Sequence, residues 1–354
     1  MDKVIKQPRR GEKSLQDRKP TIIDVAKTAR VGVMTVSRVI NDYDTVRPKT
    51  RARVLSAIAK VGYKPNEAAR MLKGMRGKTI AFIVPDLSDF FASCFHAIQE
   101  VAMRHDYQTL VVATGRNAMV ENQQIEAIHG PRLAGLLVVT SGNDATRIGA
   151  LRVAGIPVVA LDRPLPGIDA DVVLVENREG AERGVEHLIQ HKHKRIACVG
   201  FDRQTYTVRQ RVEGYQKALR AAKLPAMVFD RVNTMDAMTE LINRWFSMKN
   251  RPTAVFSLQR ISSIRLVQAL HKRGVQVPRD IAVVGFDDFE LAEVLGTPLT
   301  VVAQSPTEIG RRAAELLFRQ IRSRQASEPI EDPAKVLLST KLIIRTSCGC
   351  NPHA

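Results

Sequence analysis

No apolar run in these 354 residues approaches the ~20 that a bilayer-spanning helix requires, so the sequence predicts no membrane segment. Residues 1–20 (MDKVIKQPRRGEKSLQDRKP) lack the apolar core of a secretory signal and read as a disordered basic arm of a cytoplasmic protein. Cysteines are few: Cys94, Cys198, Cys348 and Cys350. Only the last two are close in sequence, and a lone C-x-C supplies two thiolates where a structural zinc site wants about four ligands. No His pair stands near it in the sequence, and His353 is single, so reduced thiols with no metal and no cofactor are expected. Recognised catalytic signatures are missing as well: G-x-x-x-x-G-K, H-E-x-x-H and a G-x-S-x-G at a strand-to-helix turn do not occur. The adjacent carboxylates Asp287-Asp288 would diverge on a loop, with no partner acid or base in view. The chain is expected not to be an enzyme.

Acidic residues are also short, with 36 Asp+Glu against 54 Lys+Arg and a net charge of +18. The imbalance is local. Residues 1–78 carry 20 basic and 7 acidic side chains, whereas the remainder of the chain is nearly balanced. A small basic module on a neutral body is an electrostatic footprint for phosphate backbones. A basic membrane arm would need a helix with large apolar residues along one face; the first 20 residues offer none.

What is present in the basic module is a helical pattern over residues 21–41 (TIIDVAKTARVGVMTVSRVIN). At about 100° per residue, Val33, Met34, Ser37, Arg38 and Asn41 share one arc of roughly 140°. Val36, Val39 and Ile40 occupy the opposite arc, with Thr35 between. Upstream, Thr21-Ile-Ile-Asp24 predicts a helix start of the capping-box kind, Asp24 standing in for Glu. Two short helices joined near Arg30-Val-Gly32 form a helix-turn-helix, whose second helix enters the major groove; a helical hairpin inside a core would show the same split. A polar turn at Asn41–Asp44 leads through Pro48 to a third helix over residues 51–62, stopped by Gly62. Residues 66–74 then offer an Asn66 cap, two possible helical turns and a terminal Gly74, too short to be stable without a partner.

These residues carry a resemblance. Asp24-Val-Ala, Thr35-Val-Ser-Arg-Val-Ile-Asn41, Lys49-Thr-Arg51, Gly62-Tyr63 and Pro65-Asn66…Ala69…Leu72 closely resemble the lactose/galactose repressor family of bacterial transcription regulators. The resemblance implies that residues 65–78 form a hinge helix and linker. Leu72, followed by Lys73, would then wedge between base steps in the operator's minor groove. It implies base reading by Val33, Met34 and Arg38, and phosphate contacts from Thr21, Thr35, Ser37 and Asn41; Tyr63, Asn66 and Ala69 complete the expected DNA-binding set. Val33 and Met34 suit thymine methyls, which leaves Arg38 for a specific hydrogen-bonded contact. Two departures stand in the turn. Arg30 replaces the family's usual glycine, so an altered turn is expected, and Gly32 replaces a capping hydroxyl.

Beyond residue 78, short apolar runs alternate with amphipathic segments: strands are expected at 79–84, 109–113, 135–140, 158–161, 172–175, 195–200, 254–257 and 281–285. Helices are expected between them, at 91–105, 180–190, 210–222 and 264–273 among others. This is α/β architecture with parallel sheets. Pro85-Asp86…Phe90-Phe91, Asp162-Arg163, Asn177…Gly180, Arg211…Gly214-Tyr215, Gly285-Phe-Asp287-Asp288 and Ser347-Cys-Gly349 extend the resemblance to residue 349. It implies a doubly wound, two-lobed body like the periplasmic sugar-binding proteins. The resulting division is a basic arm (1–20), helix-turn-helix domain (21–64), hinge and linker (65–78), effector and dimerisation body (79–349) and tail (350–354).

The cleft between lobes is expected at the carboxyl ends of the strands. By resemblance, Phe90, Phe91, Asp162, Arg163, Arg211 and Asp287 would hold the effector. Where relatives carry Asn-Asp after the strand at 254–257, this chain has Gln259-Arg260. Arg260 beside Arg163 and Arg211 favours an anionic effector, a sugar acid or a sugar phosphate. The resulting expectation is an allosteric repressor that binds operator DNA as a homodimer, since residues 348–354 leave no room for a tetramerising heptad tail. A transport-type sugar-binding protein and an activator of the same architecture are the alternatives.

Overall fold

The computed structural model of the protein describes residues 20–40, 45–63, 77–130, 132–142, 145–294, 296–329 and 332–350. The chain divides into two compact units at Gly77/Lys78.

The first unit holds helices α1 (Ile22–Ala29), α2 (Val33–Ile40) and α3 (Pro48–Val61). They form because Val25, Ala26, Ala29, Val36, Val39, Val54 and Ala57 meet in one small apolar cluster. The Asp24 carboxylate reaches back to Thr21, accepting from its backbone N–H at 2.7 Å and its hydroxyl at 2.6 Å. Arg30 ends α1 in the left-handed region (φ 52°, ψ 50°), its N–H bonded back to the last turn while Val31 N donates to Ala26 O. The expected alteration of the turn is therefore corrected. Arginine takes the left-handed conformation itself, at a cost of about 1 kcal/mol that glycine would not incur. Gly32 caps α2 through its carbonyl, which accepts from Thr35 N and Val36 N.

The second unit contains two six-stranded sheets. The first lobe orders its strands β11-β5-β4-β3-β1-β2, with β1 (Thr79–Val84), β2 (Gln108–Ala113), β3 (Leu133–Val138), β4 (Val158–Leu161), β5 (Asp171–Val175) and β11 (Lys335–Leu338) all parallel. The second lobe orders them β12-β10-β9-β8-β6-β7, where β6 (Ile196–Val199), β7 (Met227–Phe229), β8 (Ala254–Ser257), β9 (Ala282–Phe286) and β10 (Thr300–Ala303) are parallel and β12 (Lys341–Ile343) is antiparallel. Strands such as Thr79–Val84 are buried on both faces, Ile80, Phe82 and Val84 packing to one side and Ala81 and Ile83 to the other. That is why they read as unbroken apolar runs.

Helices α4 (Asp89–Arg104), α5 (Ala118–Ile128), α6 (Thr146–Val153) and α12 (Pro306–Gln325) cover the first sheet. Helices α7 (Asn177–Gln190), α8 (Tyr206–Ala221), α9 (Met235–Phe246) and α10 (Arg260–Lys272) cover the second, with the short α11 (Leu291–Val294) beside them. Two helix pairs approach closely at glycine: a Cβ on Gly214 of α8 would collide with the Arg178 carbonyl of α7, and one on Gly310 of α12 with the Cys94 carbonyl of α4. The chain passes between lobes three times, after β5, after β10 and after β11. The sequence reading missed β7, β10, β11 and β12. At three or four residues each, they are too short for periodicity to separate strand from loop.

Candidate effector cleft and DNA-facing helix

Open parallel sheets leave unpaired backbone and connecting loops at their carboxyl ends, and ligands bind there. In the second unit those ends converge on a pocket of about 110 Å³. Phe90 and Phe91 enter it after β1, Asp162 and Arg163 after β4, Arg260 after β8 and Asp287 after β9, while Arg211 projects from α8. All seven residues proposed from sequence thus line one pocket. Larger hollows of about 590 and 570 Å³ lie elsewhere. The first is lined by Gly167, Asp169, Asp171 and Pro333, at the amino ends of β5 and β11, away from the convergence of loops.

Arg211 is the most constrained of the set. It is buried, its Nε donates to Asn177 Oδ1 at 2.8 Å, and its Nη1 donates to Leu258 O at 2.8 Å and Asp287 Oδ2 at 3.1 Å. Its guanidinium lies 3.7 Å from the Phe286 ring centre. Asp287 in turn accepts from Gln304 Nε2 at 2.5 Å. Asp162 and Asp287 both have positive φ, 66° and 73°, a conformation that short acidic side chains tolerate better than most residues and that recurs at functional sites.

Arg163 donates to its neighbour Asp162 at 2.9 Å and to Thr140 O at 3.3 Å. Phe90 and Phe91 contact edge to face at 5.1 Å; Phe91 belongs to the apolar core while Phe90 packs on its border. Arg260 opens α10, lines the pocket and lies 3.6 Å from Asp89 of the opposite lobe, whose side chain is 86% exposed.

The pocket also contains residues that the sequence reading did not assign to the effector site: Asp86, Arg116, Phe201, Thr205, Thr207, Gln259, Asp288 and Gln304. Asp86, Arg116, Phe201, Asp288 and Gln304 sit just past β1, β2, β6, β9 and β10, so the strand-end rule applied to every strand finds them. Arg116 pairs with Asp86 at 2.6 Å. Burial opposes ionisation of Asp86, but hydrogen bonds from Ser88 and the Arg116 charge outweigh it and hold the carboxyl below its ordinary value. Asp288 takes two bonds from Arg345 at 2.9 Å.

On α2, Val33 (43%), Met34 (69%) and Arg38 are exposed, and Thr35 and Ser37 are half-buried beside them. Thr21 is half-buried at the start of α1, and Tyr63 packs against the helix cluster. Asn41, Asn66, Ala69, Leu72 and Lys73 lie outside the described residues.

Packing gives the C-x-C neighbours that are remote from it in sequence. His187 and His191, one helical turn apart near the end of α7, lie with Cys348 and Cys350 in a group whose donor atoms are all within 4.8 Å of one another. A His pair does stand beside the C-x-C, brought there across about half the chain.

Residues 21–66 match the model of bacterial regulatory proteins of the lacI family, and residues 185–348 match a periplasmic binding protein-like domain. The chain is 31% identical to the transcriptional repressor PurR of Haemophilus influenzae, over 92% of this chain and 98% of that protein. The chain belongs to the lacI family. It is 29% identical to the transcriptional regulator DegA of Bacillus subtilis, across 93% and 98% of the two chains. Among solved structures it is similar to the regulator CelR in complex with cellobiose, with TM-score 0.67, 30% identity and coverage of 93% and 100%. The Lac repressor dimer on its operator, with TM-score 0.75 at 23% identity and coverage of 94% and 99%, has the same fold. This lacI-family chain is a DNA-binding transcription repressor, not an enzyme, built as a helical DNA-binding unit followed by two parallel-sheet lobes. No helix among the described residues is long and apolar enough to cross a membrane.

Proposed function

We propose that this repressor works in the cytoplasm as a homodimer on a pseudo-palindromic operator and that a small sugar acid, bound between its lobes, sets its affinity for that operator. The observation that carries the effector class is the charge pairing of the cleft. Arg116, Arg163 and Arg211 each have an aspartate within 3.1 Å. Among the described residues, the carboxylate paired with Arg260 is the exposed Asp89, at the longer distance of 3.6 Å. A ligand carboxylate competes well for that guanidinium, because Arg binds carboxylates in bidentate fashion and the helix start adds favourable potential. One loosely paired cation matches a single negative charge, which favours a carboxylate over a doubly charged phosphate ester. The remaining Arg–Asp pairs offer donors and acceptors for hydroxyls, and Phe90 offers an apolar edge for a sugar ring.

The DNA side is carried by α2. Its exposed Val33, Met34 and Arg38 form the base-reading set, Thr21, Thr35 and Ser37 face phosphates, and two copies match the two-fold symmetry of an operator. Residues 65–78 act as the hinge in this reading, with Leu72 as the wedge. The effector acts by favouring one lobe arrangement, and the coupling is reciprocal: a ligand that weakens operator binding itself binds the DNA complex more weakly.

Calorimetric titration of the purified protein with sugar acids, sugar phosphates and neutral sugars tests the effector class, with operator binding measured in parallel. Tight binding of sugar acids, weakened at least tenfold in Arg260→Ala, is the expected result. Binding of neutral sugars unaffected by Arg260→Ala would overturn the charge assignment and leave the repressor assignment in place. A reporter whose transcription falls when the gene is removed would mark an activator.

A further inference from the structure

The C-terminal segment of the second lobe ends on a group of side chains that neither DNA nor effector binding uses. His187 lies on α7 and His191 caps its end, so their spacing of four places both rings on one face. Cys348 and Cys350 come from the last described residues. Cys350 Sγ is 3.1 Å from His191 Nε2 and 3.6 Å from His187 Nε2, and the two rings are 4.8 Å apart, tilted by 61°. We propose that His187, His191, Cys348 and Cys350 form a tetrahedral zinc site that fastens the C-terminal segment to helix α7.

The donor set is the one zinc prefers, two thiolates and two imidazoles. With Zn–S near 2.3 Å and Zn–N near 2.05 Å, neighbouring donors of a tetrahedral site sit about 3.3–3.8 Å apart. The group spans at most 4.8 Å, so donor displacements of about an ångström or less, within reach of side-chain rotation, close it. Gly349 separates the cysteines at φ 95°, a conformation open to glycine and strained for other residues.

The surroundings are fixed as an outer shell would be. The buried Thr300 hydroxyl donates to Cys348 Sγ at 3.2 Å. Ser347 Oγ donates to Val283 O and accepts from Thr300 N, which pins the segment leading into the site. Such second-shell bonds orient metal ligands. Cys348 is 1% exposed and His187 7%, while Cys350 and His191 reach solvent and leave a path for the ion. Helix α7 begins at Asn177, the residue that holds Arg211 in the cleft. The site therefore braces the far end of the helix that positions an effector-pocket residue.

Full-length protein, reduced and stripped with chelator, is titrated with Zn(II) against a chromophoric competitor and, separately, with Co(II). The expected result is one ion per chain. Cobalt should give thiolate charge-transfer bands with tetrahedral visible bands, and zinc should raise the melting temperature. His191→Ala, a change at an exposed ligand, should weaken zinc at least tenfold and abolish the melting shift while leaving operator binding unchanged. Cys350→Ser should remove part of the cobalt charge-transfer intensity. Failure to take up stoichiometric zinc, octahedral cobalt spectra, zinc binding unaffected by His191→Ala, or a Cys348–Cys350 disulfide that blocks labelling until reductant is added would each overturn the proposal.

Discussion

Arg30 shows how a single residue can carry strain without losing a motif. Its left-handed backbone costs about 1 kcal/mol, and the price is met by the caps and apolar cluster around it. Arg30→Gly should raise the stability of the helical unit by about 0.5–1 kcal/mol, read as a shift in the helical melt followed by circular dichroism. No gain, or a loss, would show that the Arg30 side chain itself stabilises the turn. Arg211 is the opposite case, a buried charge satisfied on several sides. Arg211→Ala should strand Asp287 and lower the melting temperature of the body, and calorimetry should find effector binding lost while operator DNA still binds. Removing one partner of a buried pair costs about 3–5 kcal/mol; a melting temperature unchanged by the substitution would contradict the burial of this pair. Asp86 supplies a pH signature. Its folded-state pKa lies below the ordinary 3.8, so its stabilisation is complete above that value and is lost as pH falls through the lower, folded value. Wild type should therefore lose stability more steeply than Asp86→Asn as pH falls below 3.8, measured by chemical denaturation at each pH.

At the scale of elements, the helix contacts at glycine decide how closely the lobes' layers pack. Gly310 lets α12 lie against the Cys94 carbonyl of α4, and backbone cannot move aside as a side-chain end can. Gly310→Val should cost about 1–3 kcal/mol through overpacking, visible as a lower urea midpoint of the body with the helical unit's signal unchanged. An unaltered midpoint would mean that α12 and α4 can separate freely. Helix α2 shows a different element-level fact: two apolar side chains, Val33 and Met34, remain exposed at its start. In the proposed DNA-binding mode this surface would meet thymine methyls. The elements at sheet edges and late in the chain, β7, β11 and β12, escaped the sequence reading, since their backbone pairing with β6, β5 and β10 is long-range or brief.

At the scale of the molecule, charge is concentrated where function places it. The first 78 residues hold 20 basic and 7 acidic groups, so binding to any duplex should weaken steeply with salt through counterion release. Specific recognition should respond differently. Arg38→Ala should cost about 1–3 kcal/mol on the operator and relax preference at one base pair per half-site, measured by competition binding against a set of single-base operator variants. Equal losses on operator and random duplex would reassign Arg38 to a phosphate.

The sequence by itself determined the helix-turn-helix, the alternation of strands and helices and the residues of the cleft that follow a strand. Each is a local pattern: a 3.6-residue period, a cap three residues from its partner, a polar residue just past an apolar run. Only the tertiary structure decided which of those residues meet. Arg211 and Asp287 are 76 positions apart and His187 and Cys350 are 163 apart, so no local period links them. Their proximity follows from parallel strands that align loop after loop at one end of each sheet, and from a chain that crosses between lobes three times. The pairing that leaves Arg260 loosely matched, and the group of two histidines and two cysteines, are properties of that arrangement in space, because electrostatic and ligand-field interactions depend on separation between atoms and not on separation along the chain.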